Sequence, residues 1–370
     1  MGSLKSLQLD RLKDKSIGEI LRKIEKRIRL RLSDELIIKK VDEVAIVPVL
    51  RCNLDCVMCH QGEIKKNPNM TFEDFKIIIK RLKAGGVTKI SLVGGEIFVH
   101  PRMKDFIQEM ESMGFKYDLS SNLYIVPNIE SFKNLKGLEM VTTSIDGFGE
   151  LHNQIRRRPD AFENTIGNIK KLIEMDIRVD VATVVQKANF DRLEELLEYL
   201  CEEIGVRKIT YIMENFVSPE VKKETEELLP KIMGTEGSKV YVTSLKNPLG
   251  SLGKEDIDKI PEKVKKLREI AEKYGTVLYI PIQMEDPKLL DSQTSLKDYT
   301  CSLFNGYNGV VYHEGKFSSC NFIKFGGEHS LIEKGPIQIM NSPDYYKWRK
   351  WFKDNGAMEM CRRCCAIKHK

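Results

Sequence analysis

At 370 residues the chain has room for one large domain and a small one, and 41% hydrophobic with 31% charged residues excludes a disordered polymer. The longest apolar run, residues 44–50, is seven residues with a proline inside, which excludes a membrane span, and the basic start lacks the core of a secretion signal. A cytoplasmic location is expected from those two features; the formal charge of +6 resides in residues 1–40, where twelve Lys/Arg meet six Asp/Glu, and beyond them the charges balance, which disfavours nucleic acid as a partner.

The first periodic segment is an amphipathic helix carrying Ile17, Ile20, Leu21, Ile24 and Ile28 on one side, with Ser16 and Glu19 spaced as a capping box. Its other side is basic, with Arg22, Lys23, Lys26 and Arg27. It is read as a helix closing one end of the next domain, with contact to an anionic membrane surface or a partner as the minor reading.

From residue 43 onward strands and helices alternate. Apolar, β-branched runs fall at 44–49, 89–93, 116–120, 140–145, 179–185 and 208–213. Helical patterns lie between most of them, at 71–84, 101–113, 161–175 and 189–203, with a weaker one near 128–134. Such alternation predicts parallel strands joined by crossover helices, here six units rather than the eight of a closed barrel. Residues 216–275 break the rhythm with charged helical stretches at 219–232 and 254–273, and a strand-like run follows at 276–282. The expected divisions are an N-terminal helical segment (1–42), a β/α domain (43–215), a charged insertion or linker (216–289) and a loop-rich tail (290–370). Little apolar periodicity is visible in the tail, so a metal centre is expected to supply part of its folding energy.

The nine cysteines are unevenly placed: three in 52–59, five in 301–365, and Cys201 alone on an apolar helix face, where a buried core thiol is expected. In a reducing compartment, clustered cysteines bind metal rather than form disulfides. Cys52, Cys56 and Cys59 spell C-x3-C-x2-C directly after the first strand. Three thiolates can hold three irons of a 4Fe–4S cubane and leave the fourth iron open, the mark of a reacting rather than a structural centre. A zinc site on the same cysteines would need His60 as a fourth ligand, and that residue is awkwardly adjacent.

This motif resembles the signature of the radical S-adenosylmethionine (radical SAM) superfamily, with Met58 where the family commonly has an aromatic residue. Further motifs follow in family order: Gly94-Gly95-Glu96 after the second strand, Ser121-Asn122 after the third (with Leu123 in place of glycine), and Ser144-Ile145-Asp146-Gly147 after the fourth. The resemblance implies an incomplete (β/α)6 barrel and S-adenosylmethionine chelated to the open iron. It also implies a cofactor cradle of Gly94, Gly95, Glu96, Asn122, Ser144 and Arg156, with Glu96 receiving the cofactor's amino group and Arg156 its carboxylate. His100 and His152 are read as solvated loop residues, and Glu214, at the end of the sixth strand, as a residue facing the pocket.

In the tail, Gly315 and Cys320 are spaced G-x4-C within a hairpin pattern at 310–318, and Cys361, Cys364 and Cys365 close the chain. This resembles the SPASM and twitch auxiliary domains found after many radical SAM barrels. Five cysteines match the shorter twitch form. The resemblance implies a second 4Fe–4S cluster on Cys301, Cys320, Cys361 and Cys364, with Cys365 as a spare, an alternative ligand or a reactive thiol; a structural zinc is the rival. The expected function is hydrogen abstraction by a 5′-deoxyadenosyl radical, with a flavodoxin or ferredoxin as electron donor. A small metabolite, sugar or lipid is the first substrate class. A peptide comes next, and a non-catalytic iron–sulfur or zinc protein is the alternative from a different class.

Overall fold

The computed structural model describes residues 36–59, 69–240, 249–303 and 309–370; the helix read at 17–28 and His60 lie outside them. Six parallel strands run in chain order through the main sheet: β1 (Glu43–Ile46), β2 (Lys89–Leu92), β3 (Lys116–Ser120), β4 (Leu138–Ser144), β5 (Val179–Val185) and β6 (Lys208–Met213). Between them run α1 (Phe72–Ala84), α2 (Met103–Ser112), α3 (Gly149–Arg156), α4 (Ala161–Glu174) and α5 (Leu193–Glu202).

The first helix shows how local sequence sets these elements. Thr71 caps α1, its hydroxyl accepting the Asp74 N–H at 3.0 Å. Glu73 and Asp74 sit at the positive end of the helix, and Arg81 and Lys83 at the negative end. Phe75, Ile78, Ile79 and Leu82 form its buried stripe, each stabilising the packing by about 1.5–3 kcal/mol relative to exposure. In β2, Ile90 and Leu92 are fully buried while Lys89 and Ser91 face the other way. That other face of the sheet is polar: Lys89 pairs with Asp118 at 2.6 Å and Glu139 at 3.1 Å, and Lys208 pairs with Asp180 at 2.5 Å.

Beyond β6 the chain continues through α6 (Pro219–Met233), β7 (Lys239–Val240), α7 (Lys254–Lys273) and β8 (Val277–Tyr279). Although its composition reads as a linker, α7 buries Ile260, Val264, Leu267 and Ala271 and packs on α5, with Lys263 bonded to Glu194 at 2.6 Å. Its charges belong to the exposed side, where Lys266 meets Glu262 at 2.8 Å. Then β8 pairs in parallel with β6, so residues 254–279 add one more helix–strand unit to the sheet.

The tail holds β9 (Tyr299–Cys301), β10 (Val310–Val311), β11 (Phe317–Ser318), β12 (Ile323–Lys324), α8 (Pro343–Asn355) and β13 (Ile367–His369). The expected hairpin forms as β10–β11, and its turn needs Gly315, whose φ of +77° disfavours a side chain. It does not stand apart: β10 pairs in parallel with β1. Among the described residues this makes one nine-stranded sheet in the order β11-β10-β1-β2-β3-β4-β5-β6-β8.

The tail also has a core that its low periodicity concealed. Tyr345 and Trp348 of α8 are 0% and 1% exposed, and Phe325 meets both rings edge-on at 5.4 and 5.2 Å. A metal centre would therefore add to an apolar core that the tail already has. Residues 38–370 form one compact unit. Among the described residues, no helix is long and apolar enough to cross a membrane.

Candidate functional site

Past their last paired residues, the chains leaving β1 and β2 stay bonded with a shifting register: Val93, Gly95 and Glu96 donate their N–H groups to the carbonyls of Ile46, Val49 and Arg51 at 2.9, 3.1 and 2.9 Å. The main chain of Gly94-Gly95 thus lies directly against the segment that delivers Cys52. A Cβ at Gly94 would stand 2.4 Å from the Val49 carbonyl oxygen, and one at Gly95 would stand 2.2 Å from that of Arg51. Both glycines are required by close backbone approach, and both line the cavity beneath the cysteine loop.

Three elements hold that loop. The Val57 N–H bonds the Ile155 carbonyl at 2.9 Å, Arg158 bonds the Asn53 carbonyl at 3.2 Å, and the Asn122 amide bonds Asn53 Oδ1 at 2.7 Å. The Leu54 N–H points at Cys52 Sγ (3.4 Å), as does Asn122 Nδ2 (3.7 Å), an arrangement suited to a metal-bound thiolate. Without a metal, burial pushes the Cys52 thiol up to about 11. Leu123, which replaces the family's glycine, takes the left-handed conformation that glycine would adopt (φ 53°) and is fully buried.

The remaining cradle residues divide. Ser144, Asn122 and Arg156 line the cavity, but the Arg156 charge is already partnered: one arm bonds Asp146 Oδ2 at 2.5 Å and the other faces Cys56 Sγ at 3.6 Å. Burial alone lowers its affinity for the proton, and Asp146 together with Cys56 more than restores it. Glu96 is 0% exposed and lies behind the wall. Its oxygens accept from Phe98 N–H, Ser121 Oγ and Asn122 N–H at 3.0, 2.9 and 2.8 Å, so it ties the β2 loop to the β3 loop rather than offering a free carboxylate. Burial pushes this carboxyl up, and those three donors offset part of the shift.

His100 and His152 are buried, not solvated. His100 Nε2 lies 3.0 Å from the Met70 carbonyl, and His152 Nδ1 accepts the Asp146 N–H at 3.1 Å. Glu214 is turned toward Ser251 (3.1 Å), and its neighbour Asn215 lines the cavity instead. Asn215 had no motif to mark it. The cavity measures about 360 Å³ and is closed on the tail side by Phe322.

Cys301, Cys320, Cys361 and Cys364 line a second, apolar cavity together with Trp348, Phe352 and Phe322, and Cys365 is not among its lining residues. Here too, main-chain N–H groups two residues on point at sulfur: Leu303 at Cys301, Phe322 at Cys320 and Ala366 at Cys364, each at 3.4 Å. Burial pushes Cys320 up to about 11 and Cys361 up to about 12. The loop between Cys361 and Cys364 is fixed by two residues that spacing alone did not mark. Arg362 bonds the Leu289 and Asp291 carbonyls at 2.9 and 2.7 Å, and Gln283 bonds the Arg362 and Cys364 carbonyls at 3.0 Å each. Among the described residues, no three His, Cys, Asp or Glu side chains gather on one point as a lone ion requires. All-thiol donor sets with N–H groups aimed at sulfur suit iron–sulfur clusters. Cys201 is a buried core thiol 3.2 Å from Thr276 Oγ1.

An incomplete parallel barrel whose first strand hands three thiols to a glycine-cradled cavity, followed by a small cysteine-lined tail, is a fold like the radical SAM barrel. Residues 46–200, less than half of the chain, match the Radical SAM superfamily model. It is 31% identical over 157 residues to the sporulation killing factor maturation protein SkfB of Bacillus subtilis, covering 42% of this chain and 38% of SkfB. Over 158 residues it is 28% identical to the AdoMet-dependent heme synthase of Methanosarcina barkeri, covering 42% and 45%. The match thus spans less than half the length of either curated relative. Among solved structures, Streptococcus suis SuiB bound to precursor peptide SuiA superposes over 90% of this chain and 72% of that one, with a TM-score of 0.62 and 16% identity, a likeness of fold.

Proposed function

We propose that this protein is a radical SAM enzyme that modifies a peptide. The observation that carries the chemistry is the convergence of Cys52, Cys56 and Cys59 on a cavity walled by Gly94, Gly95, Asn122, Ser144 and Arg156. A 4Fe–4S cluster and S-adenosylmethionine held there would supply one-electron cleavage of the sulfonium and, through it, abstraction of a hydrogen atom from substrate. The chain's own part is to hold the thiols through Asn122 and the Asn53 contacts, to bring bare backbone against the cofactor at Gly94-Gly95, and to place a neutralised Arg156–Asp146 pair beside Cys56. Glu96 acts from behind the wall as a brace. A flavodoxin or ferredoxin would supply the electron.

The peptide class, second in the sequence reading, moves ahead of small metabolites. It is supported by SkfB, a maturation protein, and by SuiB, whose fold extends over barrel and tail and which binds a precursor peptide. The similarity to a heme synthase keeps the small-molecule reading as the second one. Anaerobic turnover with capped peptides and with small metabolites tests both. Peptides of altered mass and 5′-deoxyadenosine in matching amounts are expected; stimulation by metabolites alone would reverse the order.

For the tail, the proposed ligands of a second cluster are Cys301, Cys320, Cys361 and Cys364. Cys365→Ala is expected to keep its iron and Cys364→Ala to lose about four atoms, read by iron analysis of the reconstituted proteins. The opposite pattern would exchange the two residues' roles.

A further inference from the structure

We propose that Arg363 receives a carboxylate of the substrate at the junction of barrel and tail; that this carboxylate is an acidic side chain rests on the peptide reading above. Two arginines stand side by side between Cys361 and Cys364, and their donors are used differently. Arg362 is 7% exposed and bonds the Leu289, Asp291 and Thr294 carbonyls at 2.9, 2.7 and 3.1 Å and Glu359 Oε2 at 2.7 Å. Arg363 is half-buried and makes no hydrogen bond or ion pair among the described residues. An arginine carries five donors, and drawing it partly out of water without a partner is costly, so this one is placed for a group that arrives.

The guanidinium is held in a fixed place. It lies 4.3 Å from the centre of the Phe216 ring, a contact that steadies the head without using its N–H groups. Its loop is clasped by Gln283, which bonds the Arg362 and Cys364 carbonyls at 3.0 Å each. Glu214 is near enough to offset part of what burial takes from the Arg363 charge, but its carboxylate bonds Ser251 at 3.1 Å and forms no ion pair with the arginine. Phe216 stands three residues past the end of β6, directly after Asn215 of the barrel cavity, and Arg363 directly precedes Cys364 of the tail cavity. Arg363 lines neither cavity, so a carboxylate held there stands beside the cofactor's space and not within it.

The chemistry that satisfies such a head is a planar anion with two oxygens, because the guanidinium fork offers two parallel N–H groups to a carboxylate. A peptide carries this group on each Asp or Glu side chain. Its free C-terminus and a small organic acid carry the same group, and the test separates these sources.

The test measures equilibrium binding of labelled octapeptide pools to the reconstituted holoenzyme by fluorescence anisotropy, with S-adenosylmethionine present and no reductant. One pool has capped ends and a single Asp or Glu at random positions; a second has Asn or Gln there instead; a third is the second with a free C-terminal carboxylate. Wild type should bind the acidic pool about 10- to 100-fold more tightly than the amide pool, the range of a charge-assisted hydrogen bond. Arg363→Gln should lose that preference and Arg363→Lys keep part of it, since lysine retains the charge without the fork. Iron content and substrate-free release of 5′-deoxyadenosine should stay within about twofold of wild type in both, well under the energy of such a bond. A preference for the third pool alone, lost in Arg363→Gln, upholds the site with the C-terminus as its source. No preference in wild type, or one that survives in Arg363→Gln, overturns the proposal. If Arg363→Gln fails to hold its tail iron, Phe216→Leu decides: removing the stacked ring should cut the preference about two- to fivefold, and an unchanged preference overturns the site. If no pool binds while small metabolites stimulate release, the peptide reading has failed. Small acids paired with their amides then put the same question to Arg363, and equal stimulation of wild type by both members overturns this assignment as well.

Discussion

Protein in which Cys52, Cys56 and Cys59 are all replaced by alanine is expected to release no 5′-deoxyadenosine from S-adenosylmethionine under dithionite, while the unaltered protein should release it slowly without any substrate. The three thiols are the donor set of the barrel cavity, and Arg156, Asn122 and the Leu54 N–H are aimed at their sulfurs rather than at a metal of their own. The fold should survive, because residues 52–59 lie outside strands and helices and the nearby core is built from β1–β6. Iron should fall from about eight atoms per chain to about four, since the tail cysteines line a separate cavity. Equal release from both proteins would place the chemistry elsewhere. Stoichiometric zinc with no iron-dependent absorbance would remove the cluster altogether.

Gly95→Ala is the second large effect. Its new methyl would sit 2.2 Å from the Arg51 carbonyl oxygen and 2.4 Å from that of Leu50, and neither atom can turn away as a side chain does. The clash is relieved only by moving residues 50–51, which precede Cys52, or by breaking the Gly95–Val49 hydrogen bond. Overpacking against rigid backbone costs about 3 kcal/mol. If that cost falls on loop position, it is a loss of more than about 100-fold in cofactor cleavage. Gly167→Ala is the control: nothing lies within 4 Å of its Cβ, and it sits inside α4, where alanine is favoured by up to about 1 kcal/mol. Gly95→Ala should lose cleavage, whereas Gly167→Ala should keep the wild-type cleavage rate and melt slightly higher. Normal cleavage by Gly95→Ala would show that the cysteine loop does not depend on this contact.

The barrel was legible because parallel strands and amphipathic helices leave local marks. The periodic burial of α1 and the capping Thr71 can be read from a dozen residues, and the cysteine spacing after β1 marks the metal loop. What escaped was non-local. Nothing near Val310 announces that it pairs with Ala45, and nothing near Lys254 says that α7 hides its apolar stripe against α5. In α8, Tyr345, Trp348 and Phe352 are buried, but Tyr346 and Trp351 on the same helix are not, which blurs the stripe. Residue type also misled at Glu96. A carboxylate at the end of a Gly-Gly pair reads as a ligand-binding group, yet three protein donors occupy it. Asn215 carried no motif, and only its place in the cavity wall, visible in three dimensions, marks it.

The pairing of β10 with β1 has a consequence for synthesis. The strand that carries the cysteine loop emerges early, but its outer edge waits for a partner about 265 residues later, on the order of 10–50 s at bacterial or eukaryotic elongation rates. Throughout that interval a nascent chain offers the hydrogen-bonding edge Val44–Ile46 to any other strand that reaches it, including that of a neighbouring ribosome's product. Chains cut short before Val310 should therefore aggregate more readily than the full chain.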